Sequence, residues 1–525
     1  MSVRHRICVF VLVAALLVTG TGLKHDRSAL GSNAGMVRIA LDVDPDSLVP
    51  EFQTSFLLSQ LDPLMFDQLT TVDDRGQIVP RLARQIPTSA NGGISNDGRA
   101  ITFHLRRNVR WQDGVPFTSR DVAFTQHAID DPASAIVGER IVERVETPDA
   151  YTAIFHLRRF DPAPLLDLED YILPEHLLRN VADLRKADFN AHPIGTGPFK
   201  VVRWVRGDRI ELVANDDYFM GRPGLREITI QLMPSADAEH AALVTGAADW
   251  MVGSTPRMFD SLRNSPNLRT FQVARYTWYG IALNLAHPPL DDVRVRRALS
   301  MAIDRTVVGK PFLGTALPAG GDIPSFSWAY DPSEQAPPYD LQGARALMRE
   351  AGWIDRGDGR LAKDGRTLEL SLTSTPILEE LDLQIEQELR LLGVGVDIKT
   401  FPLLIYYDLD GPITQGRFDL GVVRSDSNPD PAENDYFACD QFPPKGHNYP
   451  HYCNSKMDAL LRDSVASSNR GVRKVSYAKI ERILTTDMPY IFLLWPKIST
   501  LVNVRLHEFR PGPGAFAWNA WQWST

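Results

Sequence analysis

Two five-residue stretches of this chain are identical. Phe-His-Leu-Arg-Arg runs from Phe103 to Arg107 and again from Phe155 to Arg159. A histidine beside paired arginines has the chemistry for general acid–base work or for gripping phosphate. The spacing argues for something plainer. Around the first copy Ile101, Phe103 and Leu105 alternate with Thr102, His104 and Arg106, the period of two of a half-buried strand. Asn96-Asp97-Gly98 supplies turn chemistry before it and Gln112-Asp113-Gly114 after it. The second copy alternates in the same way from Thr152 to Leu157, behind the turn Thr147–Ala150. His104 and His156 therefore fall on polar strand faces. The flanks of the two copies differ, so no repeat architecture follows. The copies are expected to be strands of one small sheet.

Cys439 and Cys453 bracket a second candidate, with His447 and His451 between them in a Pro- and Gly-rich segment. His-x3-His is acceptable zinc spacing, but the short Cys-x2–4-Cys knuckle is missing. Compartment decides between metal and disulfide. The chain opens with the basic stretch Met1–Arg6, the apolar run Ile7–Val18 and the small residues Thr19–Gly22. That is the order of a secretory signal, expected over residues 1–22, and the run is too short to span a bilayer comfortably. Cys8 lies at the start of the apolar run, not just after it, so no lipid attachment is expected there. An exported protein meets oxidising conditions, and a Cys439–Cys453 disulfide is the expectation.

The remaining candidates are weak. Gly195–Phe199 (GTGPF) lacks the full dinucleotide fingerprint and reads as a tight turn opening a strand. Val295, Leu299 and Ala302 share one face of a helix, which leaves Arg294, Arg296 and Arg297 solvated or paired. No HExxH, GxSxG or P-loop occurs, and a net charge of -9 is unsuited to holding nucleic acid. No cofactor or metal is called for. Trp111–Ile129 reads strand, Asp-Gly turn, then Thr118 or Ser119 capping a helix.

From that point the chain resembles a known family. Ser95–Ile129, SNDGRAITFHLRRNVRWQDGVPFTSRDVAFTQHAI, is similar to a signature of the family 5 extracellular solute-binding proteins of ABC importers. The resemblance continues in order through Asp67–Gln85, Pro193–Ile230, Ala282–Arg305, Tyr339–Leu370, His447–Leu461 and Leu484–Pro496. It implies an α/β, two-lobed periplasmic-binding-protein-like fold (large type II) with an inserted subdomain and an interlobe hinge. Lobe I is then expected from residues 36–62, 194–284 and 497–525, the inserted subdomain from 63–193 and lobe II from 285–496. The resemblance further implies a monomer outside the cytoplasm that captures a peptide or other small solute and delivers it to a membrane permease and ATPase complex. A cleft-bearing hydrolase and a receptor without transport are the alternatives; a hydrolase needs a nucleophile with a base in reach, for which no motif is present.

Aromatic residues at the expected lobe crossings, Trp278, Tyr279 and Trp495, are candidate cleft residues. In peptide-binding members an aspartate before a Pro-Asp-Pro holds the ligand's α-ammonium. Here Phe418–Pro431 reads FDLGVVRSDSNPDP. Matching by residue type places that role on Asp426; matching on Pro-Asp-Pro places it on Ser427. Asp430 is a further candidate, and Arg424 has the fork to hold a ligand carboxylate or to pair with Asp426.

Overall fold

The computed structural model describes residues 35–131, 141–168, 170–426, 429–432 and 434–525. The signal reading of residues 1–22, with Cys8, lies outside them. Among the described residues no helix is long and apolar enough to cross a membrane.

One large sheet organises the chain. Along its ladder the strands run Gly395–Thr400, Glu369–Ser374, Leu420–Asp426, Thr277–Leu283, Tyr490–Asn503, Trp250–Met251, Met36–Leu41, Glu227–Leu232, Arg209–Ala214 and Phe199–Val205. The spine is Tyr490–Asn503, 14 residues long. At about 3.3 Å per residue such a strand reaches roughly 46 Å, more than one layer of core needs. Its early residues oppose Thr277–Leu283, from Ala282 against Tyr490 to Tyr279 against Leu494. Its later residues oppose Leu268–Ala274, from Ala274 against Lys497 to Leu268 against Asn503. The chain therefore crosses twice, side by side and in opposite directions, between two bodies of core.

The first body packs Val37, Ile39 and Leu41 against Trp250, Phe509 and Trp523, with Trp250 and Trp523 edge to face at 5.4 Å. The second packs Ile281 and Leu283 against Leu299, Leu372, Leu389 and Leu420, under the helices Val293–Ala302 and Glu379–Leu392. Beside it lies an aromatic cluster holding Trp278, Tyr436, Tyr490, Phe492 and Trp495.

The two FHLRR copies are neighbours. Ala100–His104 pairs antiparallel with Thr152–Leu157, Phe103 opposite Ala153 and Ala100 opposite His156. Phe103 and Phe155 meet edge to face at 5.5 Å inside a separate small core. His104 is exposed and His156 bonds Glu146 at 3.0 Å, as polar-face strand residues should. The following helix, Ser119–Asp130, is capped by Thr118 and Asp121 reciprocally.

Two local readings gain a physical reason. The glycines of Gly195–Phe199 lie against the Met65 backbone: a Cβ on Gly195 would stand 1.9 Å from the Met65 carbonyl oxygen. The segment is a close backbone approach that leads into Phe199–Val205. Arg296 differs from expectation. It is buried, and its guanidinium donates to the carbonyls of Asp487, Leu290 and Asp291 at 2.9, 2.8 and 3.0 Å. Carbonyls left open where chain segments end gather around one cation, which sequence periodicity does not reveal.

Candidate functional site

The carboxyl ends of parallel strands in an open α/β sheet leave their loops free to meet a ligand. Here both half-sheets turn those ends to one cleft. Met36–Leu41 runs parallel to Glu227–Leu232 and to Trp250–Met251. The residues just beyond them, Asp42, Ala236, Glu239 and Gly253 to Arg257, form one wall. Glu369–Ser374 runs parallel to Leu420–Asp426, and Ile377, Leu378, Glu380, Leu381 and Arg424 form the opposite wall. Arg275, Thr277, Tyr279 and Pro496 to Ser499, at the double crossing, close the floor. The space measures about 690 Å³, within the range of small-molecule sites.

The walls are apolar with charges set into them. The Arg275 guanidinium lies over the Phe56 ring, 4.4 Å from its centroid, a cation–π contact. Tyr279 leans on Phe312, ring centroids 5.9 Å apart. Arg257 on one wall and Glu380 on the other form an ion pair across the opening. Burial, and secondarily the Asp42 carboxylate, push the Glu239 carboxyl up to about 8. Lys497 and Arg424 add positive charge.

The residues singled out from sequence separate into two groups. Tyr279 and Arg424 line the cleft; the Arg424 backbone N–H donates to Tyr407 Oη at 3.5 Å. Asp426 ends its strand opposite cleft-lining Thr277; its side chain, like residues 427 and 428, lies outside the described structure. Trp278 and Trp495 were expected on the cleft wall and lie instead in the aromatic core, at 0% and 4% exposure. Trp278 meets Tyr436, Tyr490 and Phe492 edge to face. The reason is strand alternation: neighbours on a strand point to opposite faces, so Tyr279 takes the cleft and Trp278 the core. Asp430 is buried, and both its oxygens accept from the Arg473 guanidinium. That carboxylate serves an internal ion pair.

Cys439 and Cys453 are joined, with Cα atoms 4.5 Å apart. The histidines between them are otherwise engaged: His447 bonds Asp435 at 2.7 Å and stacks on Tyr436, and His451 stacks on Phe442. Among the described residues no group of three or more His, Cys, Asp or Glu is arranged to hold a metal.

A sequence model described as "Bacterial extracellular solute-binding proteins, family 5 Middle" matches residues 77–445. The chain belongs to this family. Among relatives of this family 5 protein, the oligopeptide-binding protein AppA of Bacillus subtilis is 28% identical, over 98% of this chain and 97% of its own length. Di/tripeptide-binding protein 2 of Pseudomonas aeruginosa is 25% identical over 83% and 85%. Among solved structures, NikZ of Campylobacter jejuni in complex with Ni(L-His) superposes with a TM-score of 0.75 at 27% identity, covering 94% of this chain and 100% of that one. The AppA complex with a nonapeptide superposes at 0.73 and 27% identity, covering 93% and 98%. The two-lobed binding-protein architecture is thus that of this family 5 protein.

Several residues of its cleft escaped the sequence reading: Asp42, Phe56, Glu239, Arg257, Arg275, Phe312, Ile377, Glu380 and Lys497. One signal was available. Asp42 directly follows an alternating strand, where an α/β sheet offers residues to ligands. The others come from helices and loops far apart in the chain.

Proposed function

We propose that this protein is the extracytoplasmic solute receptor of an ABC importer and that its ligand is a short peptide, held between two lobes and handed to a membrane permease and its ATPase. The observation that carries the reading is the cleft itself. It combines apolar walls, charges of both signs and a floor made of the double crossing, which suits a zwitterionic chain with apolar side chains. The curated relatives include oligopeptide- and di/tripeptide-binding proteins. The lobes correspond to residues 36–62, 194–284 and 497–525 on one side and 285–496 on the other, with 63–193 inserted. Residues 1–22 direct export.

Tyr279 supplies aromatic contact and Arg424 meets the ligand's carboxylate end, while Asp426 holds the α-ammonium at the end of its strand. Binding closes the lobes because contacts to both walls exist together only in the closed form. The reading is of a non-catalytic receptor; of the hydroxyls on the cleft, that of Ser254 donates to the Ser499 carbonyl at 3.2 Å. Native mass spectrometry of the exported protein tests this. A co-purified peptide series is the expected result; a nickel–histidine chelate or a sugar in its place would overturn the peptide assignment, and turnover of the bound species would overturn the non-enzymatic one.

A further inference from the structure

Glu239 stands in the first turn of the helix Ala236–Thr245, behind the N-cap Ser235. It forms part of the cleft wall, yet only 1% of its surface is exposed. The Asp42 backbone N–H donates to its carboxyl group, while its Oε1 has no hydrogen-bond partner. The Asp42 side chain lies beside it on the same wall, and its Oδ1 is also buried without a donor. Two neighbouring carboxyl groups thus offer two buried acceptor oxygens and no protein donor to either. A buried acceptor left so costs free energy unless something else supplies the hydrogen.

The charges around them are committed elsewhere. Arg38, on the strand under the helix, is held by Asp249 and the Gly246 carbonyl. His240 on the same helix bonds Ser261. Arg257 pairs with Glu380, and Arg275 lies over Phe56. Of the other acids nearby, Asp46 accepts from Thr54, and Asp44 and Asp237 are exposed. No protein cation faces the pair among these contacts. At neutral pH the raised proton affinity of Glu239 keeps its own carboxyl group protonated in the empty cleft.

We propose that Asp42 and Glu239 form a specificity subsite for the cationic side chain of a bound peptide, and that the cation takes the place of the Glu239 proton. The inference rests on the peptide reading above and names one feature of the ligand. The exchange is balanced: the ligand brings one positive charge, Glu239 gives up one proton to solvent, and the paired carboxylates then accept hydrogen bonds from the ammonium or guanidinium. Both acids lie on the wall opposite Arg424 and the strand end of Asp426. The subsite is therefore separate from the one proposed for the ligand's α-ammonium.

The test is calorimetric titration of the full-length exported protein with Ala-Lys-Ala, Ala-norleucine-Ala and N-acetyl-Ala-Lys-Ala at neutral pH. Two buffers of different ionisation enthalpy are used, with wild type, Asp42→Asn and Glu239→Gln. Wild type is expected to prefer the lysine peptide over norleucine by about tenfold or more, the scale of a charge-assisted hydrogen bond, and to release about one proton as it binds. Glu239→Gln keeps the bond from the Asp42 N–H and abolishes the proton release. Asp42→Asn abolishes the preference, with the melting temperature reporting that its fold is intact. The acetylated peptide should keep the proton release if the side chain is the cation. Equal binding of lysine and norleucine peptides by wild type, absence of proton release, or dependence of that release on the free amino terminus would each overturn the subsite while leaving the peptide reading in place. Failure of all three peptides to bind wild type would overturn both.

Discussion

Arg257 and Glu380 join the two walls of the cleft through an ion pair at its opening, one from the helix Pro256–Leu262 and the other from Glu379–Leu392. Both side chains are mostly exposed. A pair of this kind contributes about 0.2–1 kcal/mol and is screened by salt. Its value lies in geometry: it exists only when the walls are near. Glu380→Gln is expected to shift the ligand-free protein towards more open forms, seen as a larger radius of gyration by small-angle scattering, while melting temperature is unchanged. Affinity should fall by no more than about fivefold. Unchanged dimensions for the variant at low salt would remove the latch role.

Trp278 and Tyr279 make a paired prediction, because consecutive residues of one strand serve two different surfaces. Trp278→Ala should cost about 3–5 kcal/mol of stability, as large-to-small changes in a packed core do. Tyr279→Ala should leave stability nearly intact and weaken peptide binding by about tenfold or more, as loss of a central aromatic contact does. Chemical denaturation and titration calorimetry separate the two. The reverse pattern would mean that the faces are exchanged.

Asp430 and Arg473 give a third. Arg473 is 1% exposed, and it also donates to the Ser464 carbonyl at 2.6 Å and to Tyr477 Oη at 2.8 Å. Removing the carboxylate strands a buried guanidinium. Asp430→Ala should destabilise by about 3–5 kcal/mol in urea unfolding, and the variant that remains folded should bind ligand as wild type does. Weakened binding at unchanged stability would return Asp430 to the site.

Buried carboxyl groups set the pH response. Burial raises Glu239 to about 8 and Asp382 to about 7. Burial and facing carboxylates also raise Glu51 and Asp170. In the unfolded chain such groups titrate near ~4, so the folded protein holds the extra protons. The stability they contribute is complete below ~4 and is lost as pH rises through the folded values. Melting temperature is expected to fall between about pH 5.5 and pH 8.5, and Glu239→Gln or Asp382→Asn should flatten that slope. A melting temperature that climbs across this window would contradict the assignment.

The Cys439–Cys453 bond closes a loop with a sequence separation of 14. Chain-entropy reasoning assigns such a bridge about 3 kcal/mol. The double serine variant should unfold at correspondingly lower denaturant. The cleft lining does not include this loop, so affinity should persist in the folded fraction.

Much of this was legible in residue order. Alternation around Phe103 and Phe155 marked two strands, Thr118 marked a helix start, and the segments from Asp67 to Pro496 marked the family. These signals are local: a period of two or of 3.6 residues, a cap, a turn. What alternation leaves open is which of two covered faces is which. Thr277–Leu283 has neighbours on both sides in the sheet, and a central strand shows apolar residues to core and to cleft alike. Only the packed structure decides that Trp278 faces the core and Tyr279 the cleft. The same holds for charges. Asp430 and Asp426 stand four residues apart in the sequence, and nothing local reveals that Arg473, 43 residues away from Asp430, engages it. Asp42 and Glu239, or Arg257 and Glu380, meet because distant strands end at one cleft. The residue types determined the elements and the family; the topology that brings those strand ends together decided the site.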